Sequence, residues 1–177
     1  MEGSGAQPVG GAAAAAAAAA PKRNNMDYTL AALKLFGCQL AGATEAPPSE
    51  SDGTSQAQML YGIRFQRVWL QGVVVLADYR DGAGHILVDD GSCVAEITLT
   101  PKEAEGQPWR EGMYVMVLGS YSGKESLPRA NRPVIKVHKL VDLSAQPDRE
   151  SMWYMEVVEA FNFFYLQFSA ASPLMKR

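Results

Sequence analysis

Residues 68–77, VWLQGVVVLA, restrict the fold of this chain more than any other stretch. Rich in β-branched side chains and far too short for a helical membrane span, the run favours an extended strand. Gly72 interrupts it, and a glycine inside a strand marks a bulge or sharp bend because it tolerates backbone geometry that other residues resist. A long strand that bends can serve both halves of a curled sheet, and the bend is expected at Gly72.

Four further strand-like runs follow, each set off by turn chemistry. Asp81, Gly82 and Gly84 precede the second, His85 to Asp89, and Asp90–Gly91 reads as a tight hairpin turn. The third alternates. Cys93, Ala95, Ile97 and Leu99 share one face and Glu96, Thr98 and Thr100 the other, the pattern of a half-buried antiparallel strand. A connector with two prolines (101–112) leads to the fourth run, Tyr114 to Gly119, which is apolar throughout and predicts cover on both sides. A polar loop (120–132) and a fifth run, Pro133 to Leu143, complete the set. Trp69 and Tyr114 are expected in the core rather than as base-stacking platforms.

A helical pattern closes the chain. Pro147 suits a first helical position, Asp148 and Glu150 place negative charge in the first turn, and the pattern runs from Ser151 to about Phe168. Near the start, Thr29, Leu33, Phe36 and Leu40 fall at i, i+4, i+7 and i+11, which predicts one amphipathic helix over 25–42, with Asn25 as N-cap and Gly42 at its end. The expected class is all-β with flanking helices: a five-stranded OB-fold barrel, a C-terminal α-helix and a short N-terminal helix. An SH3-like barrel is the alternative, against which the terminal helix weighs.

Around this core, residues 1–24 read as a disordered Gly/Ala-rich tail. The Ala12–Ala20 run is only weakly hydrophobic and Glu2 stands where a secretory signal carries Lys or Arg. Residues 43–60 read as a linker, the folded core as 61–168 and residues 169–177 as a tail. Ser49, Ser51 and Ser55 in the linker are candidate phosphorylation positions.

Function classes narrow quickly. Cys38 and Cys93 form neither a disulfide framework nor a CxxC pattern and suit a reducing compartment. His85 and His138 are too scattered for a metal site, no phosphate-binding glycine loop occurs, and no nucleophile–base set or carboxylate pair is apparent. Neither catalysis nor a cofactor is expected. Between Ile63 and Phe168 there are 11 Lys and Arg against 14 Asp and Glu, a net of −3, unlike a domain that lives by gripping phosphates. The one basic stretch is Lys124, Arg129, Arg132, Lys136 and Lys139. It is a candidate nucleic-acid or protein contact, and it sustains the alternative of an autonomous single-stranded-DNA binder.

The final helix points elsewhere. Trp153, Val157, Phe161, Phe164 and Phe168 fall on one stripe at i, i+4, i+8, i+11 and i+15, and Met152, Met155, Val158, Phe163 and Tyr165 widen it. Covering one side of a small barrel needs less than that. Met152, Trp153, Met155, Val157, Phe161, Phe164 and Phe168 are therefore expected at a partner interface, with residues 25–42 folding back over the excess as the competing explanation.

Three segments, VWLQGVVVLAD (68–78), EGMYVMVLGSY (111–121) and KLVDLSAQPDRESMWYMEVVE (139–159), resemble the RecQ-mediated genome instability protein 2 family over about 95 residues. Trp69, Gln71, Gly72, Tyr114, Val115 and Gly119 match in the strands. Asp142, Leu143, Ser144, Glu150, Ser151, Trp153, Glu156 and Val157 match at the end, with Trp153 and Val157 placed nearest the partner. The alanine-rich start, the linker and the Phe161–Phe168 extension depart from the pattern. The resemblance implies a nuclear, non-catalytic subunit with little DNA binding of its own. It implies pairing with the C-terminal OB-fold of RecQ-mediated genome instability protein 1, through helices that follow the two barrels. Through that partner it implies a place beside topoisomerase III and a RecQ helicase in double Holliday junction dissolution and recombination control.

Overall fold

The computed structural model describes residues 26–47, 57–80, 84–123 and 132–171. The expected tail 1–24, the expected N-cap Asn25, residues 48–56 of the linker with its three serines, and residues Lys124 and Arg129 lie outside them.

Five strands close the barrel: β5 (Arg67–Asp78), β6 (His85–Asp89), β7 (Val94–Thr98), β8 (Tyr114–Tyr121) and β9 (Val134–Asp142). Their positions agree with the five runs read from sequence to within a few residues. The order β5-β6-β7-β9-β8 returns to β5, and the parallel pairing of β7 with β9 (Ile97 opposite Ile135) is the closing contact of a Greek-key barrel. β5 serves both halves, pairing with β8 through Arg67–Val73 and with β6 through Val73–Asp78. The hand-over falls at Val73, beside Gly72, while the register shift lies further on, between Val74 and Leu76. Gly72 answers to close approach rather than to the bulge: a Cβ there would overlap the Asp89 carbonyl oxygen and sit 2.9 Å from Val88 Cγ1.

Alternation fills the interior. Val68, Leu70, Val74, Ile86, Val88, Ala95, Ile97, Val115, Val117, Ile135 and Val137 are all buried, with Phe65 stacked on Tyr121 at 6.3 Å. Burying each such side chain stabilises by roughly 1.5–3 kcal/mol. Tyr114, Met116, Leu118 and Ser120 stay half-exposed, so β8 is covered fully on one face only, contrary to its uniformly apolar sequence. Trp69 and Tyr114 are half-buried on the outer side of the barrel rather than inside it, where Phe65 and Tyr121 lie. The proline-bearing connector contains a short helix, α1 (Pro101–Ala104), capped by the Thr100 hydroxyl, and its Trp109 is buried with the indole N–H on the Glu103 carbonyl at 2.9 Å.

The segment 25–42 is not one helix. Ala32–Lys34 is a strand, β1, parallel to β5 with Leu33 opposite Val68, and Gly37–Gly42 is a 3-10 helix. Leu33 and Leu35 alternate with the half-exposed Lys34, a period of two that the barrel edge selects over the helical spacing. Thr29, assigned to the helical stripe, is exposed. Nor does the fold start at Tyr61: β2 (Thr44–Glu45), β3 (Gln58–Leu60) and β4 (Ile63–Phe65) form a small antiparallel sheet, and Ala57 is buried. After β9 comes α2 (Arg149–Ala160), which begins past Pro147, then a π turn (Phe161–Tyr165) and α3 (Leu166–Ala171).

Candidate partner interface

The terminal helix presents two faces of opposite character. Toward the barrel lie Trp153 (1% exposed), Val157 (2%), Ala160 and Tyr165, with Phe161 half-buried. Trp153 packs against Trp69 at 6.2 Å between ring centres, and Tyr61 meets Phe161 edge-on at 5.2 Å and stacks near Tyr165 at 6.0 Å. A residue with so little accessible surface within its own chain offers nothing to a second one. Trp153 and Val157, expected nearest the partner, are instead the contacts that seat the helix on its own barrel.

Polar groups lock the seat. Lys34 Nζ approaches Glu156 Oε2 at 2.7 Å and lies over the Trp69 ring at 4.7 Å and the Trp153 ring at 5.5 Å. Arg149 pairs with the same carboxylate at 2.9 Å and donates from Nε to Gln71 Oε1 at 3.0 Å. Burial raises the Glu156 carboxyl, but the hydrogen bonds and charges of Lys34 and Arg149 outweigh it and hold the group below its ordinary 4.5. The Tyr165 hydroxyl donates to the Lys34 carbonyl and accepts from the Lys34 amide, both at 2.9 Å. Tyr154 donates to the Asp90 carbonyl, and the buried Asp90 carboxylate accepts from the Gly37 amide at 2.5 Å and from Ser92 and Cys93. Asp90 thus joins the hairpin to the N-terminal segment.

Away from the barrel, Met152, Met155, Val158, Phe163, Phe164, Leu166 and Phe168 are exposed, Met155 at 59% and Phe163 at 64%. The π turn decides this partition. Through Phe161–Tyr165 the helix carries one extra residue per turn, shown by the Leu166 amide donating to the Phe161 carbonyl, so Tyr165 rather than Phe164 falls on the inner face. The uniform stripe read from sequence is therefore divided: Trp153 and Val157 face inward, Phe161 sits at the margin, and Phe164 and Phe168 face outward. Val158, Phe163 and Leu166 join the outward set. The N-terminal segment does fold back, through Lys34 and Phe36, whose ring lies 5.1 Å from Tyr154. It covers the inner contacts and leaves the outer face open.

Of the basic candidates, Arg132 is half-buried just before β9, and Lys136 and Lys139 are exposed on it. Among the described residues no group of His, Cys, Asp and Glu is placed to hold a metal ion, and no helix is long and apolar enough to cross a membrane.

A closed Greek-key barrel with a terminal helix and an uncovered apolar face defines an OB-fold subunit. Solved structures share the fold. A chain of the S. pombe Stn1–Ten1 complex superposes with a TM-score of 0.62 at 12% identity, covering 78% of this chain and 97% of that one. A chain of a replication protein A heterotrimer bound to single-stranded DNA gives 0.57 at 18%, covering 77% and 96%. The family model described as RecQ-mediated genome instability protein 2 matches residues 31–161, and the chain belongs to that family. The chicken protein of that name is 34% identical over 93 residues, which cover 52% of this chain and 64% of the chicken sequence. The mouse protein is 29% identical over 129 residues, covering 72% and 80%.

Proposed function

We propose that this chain is a non-catalytic, nuclear OB-fold subunit that pairs with the C-terminal OB-fold of RecQ-mediated genome instability protein 1. Through that partner it stabilises an assembly of topoisomerase III and a RecQ helicase that dissolves double Holliday junctions and restrains recombination. Membership of a genome-instability family supports the setting. The observation that carries the pairing is the outward face of α2, where Met152, Met155 and Val158 remain in water within the family-matched span. Full burial of such a side chain is worth roughly 1.5–3 kcal/mol, and about half of that remains to be gained at each, since they are 46%, 59% and 52% exposed. A partner helix laid along that face gains this term without disturbing Trp153 or Val157.

Co-expression with the partner's C-terminal OB-fold tests the reading. Light scattering is expected to report a 1:1 complex with a higher melting temperature than either part, as mass action requires. Met155→Glu with Val158→Glu is expected to abolish capture and leave the free chain's melting temperature unchanged. Full capture by that double variant overturns the assignment of the face.

A further inference from the structure

The family match ends at Phe161, where the π turn begins, yet the apolar outer face continues past it through Phe163, Phe164, Leu166 and Phe168. Eight residues separate Met155 from Phe163, and eight separate Val158 from Leu166. In an unbroken α-helix, a residue eight places on has overshot two turns by about 80°. A 3.6-residue α turn followed by a π turn, about one residue longer, takes up roughly eight residues and removes the overshoot. The π turn, closed by the Leu166 amide on the Phe161 carbonyl, therefore sets Phe163 in line with Met155 and Leu166 in line with Val158. It does so while turning Tyr165 inward to the Lys34 main chain. Such turns are rare and concentrate at functional sites.

Area decides how much of this face one partner must cover. Taking about 200 Å² for a side chain of this size, Met152, Met155 and Val158 together expose about 300 Å². A stable protein–protein contact takes about 800 Å² from each side, so the α2 face alone falls well short. Phe163, Phe164, Leu166 and Phe168 add about 450 Å² and bring the total close to that figure. An apolar face of this extent exceeds the largest patch of an ordinary monomer, about 300–600 Å². Among the exposed residues from Met152 to Phe168 the one charge is Glu159, so little else on the face resists being taken out of water. Met152 to Leu166 spans about 20 Å, the length of a straight partner helix of about 14 residues.

We propose that the segment from Phe163 to Phe168 is the distal half of the partner interface, covered by the same partner helix that lies on Met155 and Val158. The inference rests on the pairing proposed above and assigns it four further residues. Phe163 and Leu166 stand on the line of contact, and Phe164 and Phe168 flank it. The π turn is then the device that keeps one straight helix in contact along both halves.

Calorimetric titration of the full chain with the full-length partner tests the proposal. Phe163→Ser with Leu166→Ser is expected to weaken the complex at least about tenfold, and Phe164→Ser with Phe168→Ser about threefold or less. Phe163→Leu with Leu166→Phe keeps the hydrocarbon and is expected to hold affinity within about threefold. The free chain's melting temperature should stay constant in all three variants, because the four side chains are exposed. Native affinity in Phe163→Ser with Leu166→Ser, beside loss of capture in Met155→Glu with Val158→Glu, overturns the distal half and leaves the pairing standing. A larger loss from the flanking pair than from the pair in line also overturns it. No complex with the native chain overturns both readings. Light scattering of the free chain covers the other occupant: self-association abolished by Phe163→Ser with Leu166→Ser, at unchanged partner affinity, assigns the segment to a second copy and overturns the proposal.

Discussion

Tyr165→Phe removes one oxygen atom and tests how the terminal helix is held. The hydroxyl both donates to and accepts from the main chain of Lys34, at 2.9 Å in each direction, on a residue only 7% exposed. Phenylalanine keeps the ring against Tyr61 but leaves an amide and a carbonyl of β1 without that partner. A buried peptide group deprived of its hydrogen bond costs about 1–3 kcal/mol. Lys34 lies at a half-exposed edge where water can partly substitute, so the lower end applies and the two groups together cost about 2 kcal/mol. For a domain of this size that lowers the melting temperature by about 6 °C. Calorimetry measures the shift, and hydrogen exchange at the Lys34 amide is expected to accelerate in parallel. Tyr154→Phe, which loses a single bond of 3.2 Å from a more exposed ring, is the control and should shift less. A change under about 1 °C in Tyr165→Phe, with Lys34 exchange unaltered, refutes the view that this hydroxyl ties the two ends of the chain together.

Other perturbations follow from the same geometry. Gly72→Ala drives a methyl group into the Asp89 carbonyl and Val88, and overpacking of this kind is expected to cost about 1–3 kcal/mol or more by denaturant titration. Glu156→Gln weakens the half-buried pairs with Lys34 and Arg149, costing about 1–2 kcal/mol, and high salt should narrow the difference from the native chain. Alkali should destabilise the fold: burial pushes the Cys93 thiol from 9.0 to about 11 and the Tyr114 phenol from 10.0 to about 12. The unfolded chain then loses these protons first, so the contribution of these two groups is constant below about pH 9 and falls through pH 12, a trend that Cys93→Ala and Tyr114→Phe should each reduce in melting curves.

The barrel was legible because its signals are local. Alternation in Cys93–Leu99, the Asp90–Gly91 turn and the glycine-interrupted first run each report on a few neighbouring residues, and the structure places β7 and β5 at the two runs and the β6–β7 connection at the turn. The N-terminal segment was misread for the opposite reason. Thr29, Leu33, Phe36 and Leu40 fit a helix by spacing, yet the open edge of β5 offers pairing to Leu33 and burial to Leu35, and nothing nearby in sequence announces that edge. The candidate interface was half legible. Its location on the terminal helix and its apolar excess could be counted, but the division between Trp153, facing in, and Phe164, facing out, depends on a π turn that shifts the helical phase within Phe161–Tyr165. Gln71 and Arg149 lie within segments that match the family, but their meeting with each other, with Lys34 and with Glu156 arises only in the folded chain. The basic stretch was partly visible as Lys136 and Lys139. Arg67, far away in sequence, is brought near Lys136 through the pairing of both strands with β8, and Tyr28 lies against Arg67.

The π turn makes α3, which follows it, unusually sensitive to length. Deleting any one residue between Phe161 and Tyr165 restores ordinary α geometry and rotates everything downstream by about 100°. Position 164 would then swing toward the wall while Tyr165 would swing off the β1 edge, exchanging an anchoring hydroxyl for bare hydrocarbon. A lineage losing a single codon here would keep its composition almost intact, yet display a differently shaped outer surface to any neighbour.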